Sequence, residues 1–301
     1  MRMLLCLPLL LVSGPANAWD TTPHQRITKA AIDTLPKRFL TQFGAEIAPL
    51  IEIYCLLPDR YVEMQRFGFV RRSPGPRSAS EIEVYCIRPD GQAMHGATGV
   101  RDTDIGSLVY LFERMVSTFS QNRPGEAARY AGVLSHFIAD SLSPPHAVSP
   151  EHLLGMAPPS AETGDINIHS AIERSIPEFT LGGREPRRAG AHIVTAAQAI
   201  LERCYSGAAR NRRDLPSMVK AACARDEQTL DVYRLRAGME AAEIFADALY
   251  TVLRIEEGVR QAGPGRPART RRSAPQNAAS QSRHWAVPPV ELPIVLPDNI
   301  H

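Results

Sequence analysis

The strongest constraint on this 301-residue chain is an apolar period that fits only the α-helix. Leu108, Leu111, Phe112, Met115, Val116 and Phe119 recur at i, i+3, i+4, i+7, i+8 and i+11, which places them on one face of a long helix. The same period runs through Ile27 to Leu35, Tyr130 to Leu142, Ile193 to Cys204 and Leu230 to Leu253. These segments predict an all-α fold, a compact multi-helix domain. Between Tyr61 and Gly99 the rhythm is absent. Gly68, Pro74, Gly75, Pro76, Pro89 and Gly91 mark a long irregular loop there, with short strands predicted at Glu81 to Cys86. Long loops in compact domains tend to carry function.

The two ends of the chain read differently from its body. Arg2, the apolar run Met3 to Val12 and the small-x-small triplet Ala16-Asn17-Ala18 form the pattern of a secretory signal peptide over residues 1–18. Pro8, Gly14 and Pro15 argue against a buried helix at this point. The mature chain is expected to begin at Trp19 and to be exported, to the periplasm or the medium. No run reaches the ~18 apolar residues of a membrane span, so no transmembrane segment is predicted. Residues 259–301 are rich in proline and arginine, carry +4, and are expected to form an extended or disordered tail. The intervening domain, residues 19–258, then carries −3, which gives no general field for a polyanion.

Export also bears on the cysteines. Cys6 leaves with the signal, and Cys55, Cys86, Cys204 and Cys223 remain, an even number in an oxidising compartment. Of the three possible pairings, the local one, Cys55 with Cys86 and Cys204 with Cys223, is the simplest expectation.

Candidate chemistry concentrates in two short motifs. His136 and Asp140 stand four residues apart on a predicted helix, so both side chains project from one face. Ser143-Pro144-Pro145 ends that helix and turns the chain, returning His146 toward the same point. His169 and Glu173 repeat the four-residue spacing on a second helix. Imidazole and carboxylate are natural zinc ligands. Trp19, at the mature N-terminus, offers a free α-amino group and its own carbonyl as a chelate, with His24 five residues on.

The combination of an N-terminal Trp, His24, an isolated Asp, an isolated His, H-x3-D-x5-H and H-x3-E resembles the zinc-dependent phospholipase C and S1/P1 nuclease superfamily. The resemblance covers Trp19 to about Ser175. It implies that family's all-α fold and three zinc ions. One zinc is expected on Asp59, His95, His136 and Asp140, a second on His146, His169 and Glu173, and a third on Trp19, His24 and the bridging Asp140. The interval between Asp59 and His95 is 36 residues, wider than the family leads one to expect. Either the loop carries an insertion, or Asp90 is the ligand in place of Asp59. Asp59 is preferred because it follows a helical stretch closed by Pro58. A Cys55–Cys86 disulfide would staple such an insertion near the site.

Zinc lowers the pKa of its water from ~15.7 toward ~7, so phosphodiester hydrolysis at such a centre needs no protein nucleophile. Asp59 is the candidate to orient or deprotonate that water. Glu173 in the last motif looks like the phospholipase C branch, whereas the short Trp19-to-His24 spacing and the long His146-to-His169 gap look like the nuclease branch. The acidic body favours a lipid headgroup phosphoester over single-stranded nucleic acid, with transient membrane-surface contact, and Tyr61, Phe67 and Phe69 are candidates for a stacking or headgroup surface at the cleft rim. A non-enzymatic secreted zinc-binding protein is the alternative of another class. His152, His192, His284 and His301 fit no ligand spacing and are expected to lie outside the site.

Overall fold

The computed structural model describes residues 21–59, 105–158 and 167–262, all of which fall in one compact unit, Met1–Pro264. Among these residues the chain is helical with no strand. The elements in order are α1 (Thr21–Ile32), α2 (Lys37–Phe43), α3 (Ile47–Glu52), α4 (Ile105–Ser120), α5 (Pro124–Leu142), α6 (Pro150–Gly155), α7 (Ile168–Glu173), α8 (Ile193–Ala224) and α9 (Glu227–Ala262). Two 3₁₀ turns, Tyr54–Asp59 after α3 and Pro144–Ala147 after α5, carry candidate ligands of their own. The predicted signal peptide, the loop residues with their expected strands, and residues 263–301 lie outside the described residues.

The helix at the centre is α5. Pro124 starts it, at a position where the missing N–H costs nothing, and every residue from Tyr130 to Leu142 is buried. A helix apolar on all sides requires neighbours all round it, and α5 has them in α1, α3, α4, α8, α9 and the Tyr54–Asp59 turn. Gly132 makes the last of these contacts possible, since a Cβ there would lie 2.4 Å from the Tyr54 carbonyl carbon. The polar groups His136 and Asp140 thus lie fully buried on a helix that forms part of the main core.

A second, smaller core lies beyond the end of α5. Leu153, Ile168 and Ile172, from α6 and α7, pack on Leu215, Met218, Val219 and Leu230. It forms because α8 is much longer than the period ending at Cys204 suggests. The helix continues for another five turns to Ala224, through Pro216. Arg225 then takes a left-handed conformation (φ 55°), and Asp226 starts α9 by accepting hydrogen bonds from the Thr229 backbone N–H at 3.1 Å and hydroxyl at 2.6 Å. α9 itself runs through Ala262, so residues 259–262, read from sequence as the start of the tail, are helical.

The length of α8 overturns the expected Cys204–Cys223 disulfide. Both residues lie on this one helix and both are free thiols. At 1.5 Å per residue their Cα atoms are about 28 Å apart, against the ~7 Å a disulfide can span. Cys204 is instead a core residue, and burial pushes its thiol pKa up to about 12. Cys86 lies outside the described residues. No described helix is long and apolar enough to cross a membrane.

Candidate metal centre

α1, α5 and the Tyr54–Asp59 turn bring His24, Asp59 and His136 together, with one ligand atom from each lying within 4.8 Å of the others. His24 and His136 stack ring on ring, with centroids 4.0 Å apart and planes 10° from parallel. His24 and His136 are fully buried, and the side chain of Asp59 is 15% exposed. His136 Nδ1–H donates to the Cys55 carbonyl at 2.8 Å. In the neutral ring this leaves the Nε2 lone pair directed at the carboxylates, the arrangement by which a backbone carbonyl orients a metal-binding imidazole. Nε2 stands 3.1 Å from Asp140 Oδ2 and 3.6 Å from Asp59 Oδ1.

His24 is set against His136 by a link that neither side chain makes itself. Thr28, one turn after His24, donates its hydroxyl to the His24 carbonyl at 2.8 Å and lies 2.7 Å from the Ser135 hydroxyl, next to His136. Both hydroxyls are buried. Two helices that carry ligands are thereby joined within a turn of the ligands.

The second set is His146, His169 and Glu173, again with ligand atoms within 4.8 Å of one another. The Ser143-Pro144-Pro145 sequence ends α5 in extended backbone and opens the 3₁₀ turn that presents His146. Asn167 caps α7 by accepting from the Ser170 N–H at 3.0 Å, and His169 and Glu173 then share one face of this short helix. Glu173 Oε1 is 3.4 Å from His146 Nε2, and Oε2 is 2.8 Å from His169 Nε2. The His169–Glu173 approach lacks the alignment of a hydrogen bond. Ser143 donates its hydroxyl to Glu173 Oε1, which restricts the carboxylate.

Asp140 stands against the histidines of the first set and within electrostatic reach of His146 and His169 in the second. Fully buried, it is 3.4 Å from His24 Nε2 through Oδ1. Burial pushes its pKa up, but His136, His24 and His146 outweigh that and hold it well below the usual carboxylate range. The imidazoles respond in kind. Burial works against the charged form of His136, yet Asp140 and Asp59 overcome it and raise its pKa to about 9. His169 is likewise raised, its burial outweighed by Glu173 and, more weakly, Asp140. A largely buried cluster of this kind must be neutralised by protons or by a cation, and its donor set of imidazole nitrogens and carboxylate oxygens suits a divalent transition metal. The two buried sets can therefore hold metal ions.

Among the expected ligands, the structure brings together His24, Asp59, His136, Asp140, His146, His169 and Glu173. Trp19, His95 and the alternative Asp90 lie outside the described residues, as do Tyr61, Phe67 and Phe69. His24 stands with Asp59 and His136 as well as with Asp140. His152 lies in α6 and His192 is the N-cap of α8, and neither belongs to a ligand set. The supporting groups Thr28, Ser135, Ser143 and the Cys55 carbonyl were not identified from sequence, since their contacts join segments up to about a hundred residues apart. No family model matches the chain, and no curated protein or solved structure is significantly similar to it.

Proposed function

We propose that the chain is an exported zinc-dependent phosphodiester hydrolase of phospholipase C type. The observation that carries the reading is the pair of buried ligand sets, His24/Asp59/His136 and His146/His169/Glu173, with Asp140 against the histidines of the first. Together with the motif resemblance, this arrangement favours zinc, with three ions per chain once Trp19 and His95 contribute. Bound zinc supplies Lewis acidity and a water acidic enough to act at neutral pH.

The chain's own residues hold and shield. His24, His136 and Asp140 exclude water by their burial, which strengthens every charge interaction in the site. Asp59 is the partly exposed member of its set and is placed to orient an incoming water and accept its proton. His169, with 14% of its side chain exposed, opens the second set to the surface in the same way. A phosphodiester fits because its negative charge complements a site where the charge of the bound zinc ions would exceed that of the three carboxylates Asp59, Asp140 and Glu173.

The acidic body and Glu173 favour a lipid headgroup phosphoester. The short Trp19-to-His24 spacing supports a second reading, a single-strand nuclease. Metal content by mass spectrometry, followed by assays on phosphatidylcholine vesicles and single-stranded DNA with and without chelator, tests both. Chelator-sensitive lipid hydrolysis is expected. Chelator-sensitive cleavage of DNA alone moves the assignment to the nuclease, and bound zinc without either activity moves it to a non-enzymatic zinc-binding protein.

A further inference from the structure

α7 is the shortest of the described α-helices that carry candidate metal ligands. It has six residues, well below the ~12–15 needed for an isolated helix to hold, and it supplies two ligands of one set. A helix end leaves its last carbonyls without intrahelical donors. In α7 the Ser170 carbonyl is taken by the Arg174 N–H at 2.9 Å, and the next two, Ala171 and Ile172, are met from outside by a single side chain.

That side chain is Arg234, on α9. It is fully buried, and its volume places it among the largest groups of the interior. Nε donates to the Ile172 carbonyl at 2.9 Å and Nη2 donates to the Ala171 carbonyl. Nη1 faces away, donating to Glu227 Oε2 at 2.7 Å and Asp231 Oδ1 at 2.8 Å, with the Ser175 hydroxyl at 3.5 Å. The guanidinium therefore grips the backbone directly between His169 and Glu173 while its charge is balanced on its far side. A buried charge with both faces satisfied is costly to assemble and serves poorly as mere filling. The planar fork is also what two adjacent carbonyls require, and an ammonium cannot reproduce it.

We propose that Arg234 is the positioning residue of the second ligand set: by closing the Ala171 and Ile172 carbonyls it fixes the C-terminal turn of α7, and so holds His169 and Glu173 on His146. The proposal rests on the metal-binding reading of that set, and it concerns affinity, not the reaction. Loss of an outer group that orients a ligand typically weakens metal binding 10–100-fold.

The test is a chelator-competition titration of the full chain loaded with Zn²⁺, repeated with Co²⁺ so that the ligand field is read from its visible spectrum. Asp59→Asn and Glu173→Gln serve as references that identify the two classes of site. Arg234→Lys is expected to weaken the class lost in Glu173→Gln about 10–100-fold and to leave the class lost in Asp59→Asn within a factor of about two. In Arg234→Gly, millimolar guanidinium is expected to restore the second class, and ammonium at the same concentration is not. If Arg234→Gly does not fold, Arg234→Lys decides alone. Equal weakening of both classes, or no change in either, overturns the proposal. Wild-type protein that takes up no metal defeats the metal reading itself, a result distinct from wild type with two filled classes and an unaltered Arg234→Lys.

Discussion

Gly132→Ala separates the geometry of the first ligand set from its chemistry. The new Cβ would lie 2.4 Å from the Tyr54 carbonyl carbon, 2.5 Å from its Cβ and 2.6 Å from its oxygen. Ordinary contact begins near 3.4 Å, so the Tyr54–Asp59 turn must retreat by about 1 Å, because the obstructing atoms are backbone and Cβ, which no rotamer change moves, and a close-packed interior gives little. Cys55 follows Tyr54 directly, so its 2.8 Å bond from His136 Nδ1 would open to about 3.8 Å, past the range of a hydrogen bond. Asp59, at the end of the same turn, moves with it. Overpacking of this kind costs about 1–3 kcal/mol, partly offset by the gain of about 0.5–1 kcal/mol from replacing a helical glycine. The net loss is a few degrees in Tm, while affinity at the first set should fall about 10–100-fold. The second set, carried by α7 and the Pro144–Ala147 turn, should be unaffected. Gly258→Ala is the control, since a Cβ there meets nothing within 4 Å and the change should only stabilise. Chelator titration and thermal melting of both variants provide the assay. A Gly132→Ala protein that folds and keeps wild-type affinity at both sets would refute the reasoning.

The same groups set several further outcomes. The metal-free protein should lose stability as pH rises from 6.5 through about 9, because the proton held by His136 in the folded state stabilises it fully below 6.5 and is lost above 9. Metal affinity should rise over that interval, since binding must expel this proton, and chemical denaturation at pH 6 and pH 9.5 with and without Zn²⁺ checks both signs. Ser143→Ala removes the hydroxyl that fixes Glu173 Oε1 and should weaken the second set about 10-fold with little change in fold, measured by the same titration. Cys204 should resist alkylation in the native state until denaturant is added, because its thiol is buried with a pKa near 12; rapid native labelling at Cys204 would contradict the structure. One extra residue ahead of Trp19 should cost one zinc and most phosphodiesterase activity, and full activity in that variant would remove the N-terminal amine from the ligand set.

Both i, i+4 pairs, His136/Asp140 and His169/Glu173, were legible in the sequence because the geometry that unites them is local to a helix. The turn at Ser143-Pro144-Pro145 was legible for the same reason. What supports the ligands was not. The Thr28–Ser135 link and the grip of Arg234 on α7 join residues 107 and about 60 positions apart, and no periodicity announces a pairing at such range. The full extent of α8 was missed for a different reason. Its apolar stripe shifts from the main core to the second core after Cys204, and the polar run Arg210–Asp214 followed by Pro216 looks like an ending. Leu215, Met218, Val219 and Ala222 nonetheless keep helical spacing beyond it, and reading them as a continuation would have excluded the Cys204–Cys223 disulfide from sequence alone.

Whether two buried ligand sets bind metal side by side is tested most directly by anomalous diffraction at the zinc edge from crystals of the zinc-loaded protein. One peak is expected among His24, Asp59 and His136 and another among His146, His169 and Glu173. An absence of peaks at both, with zinc confined to surface histidines such as His152, would contradict the metal-centre assignment.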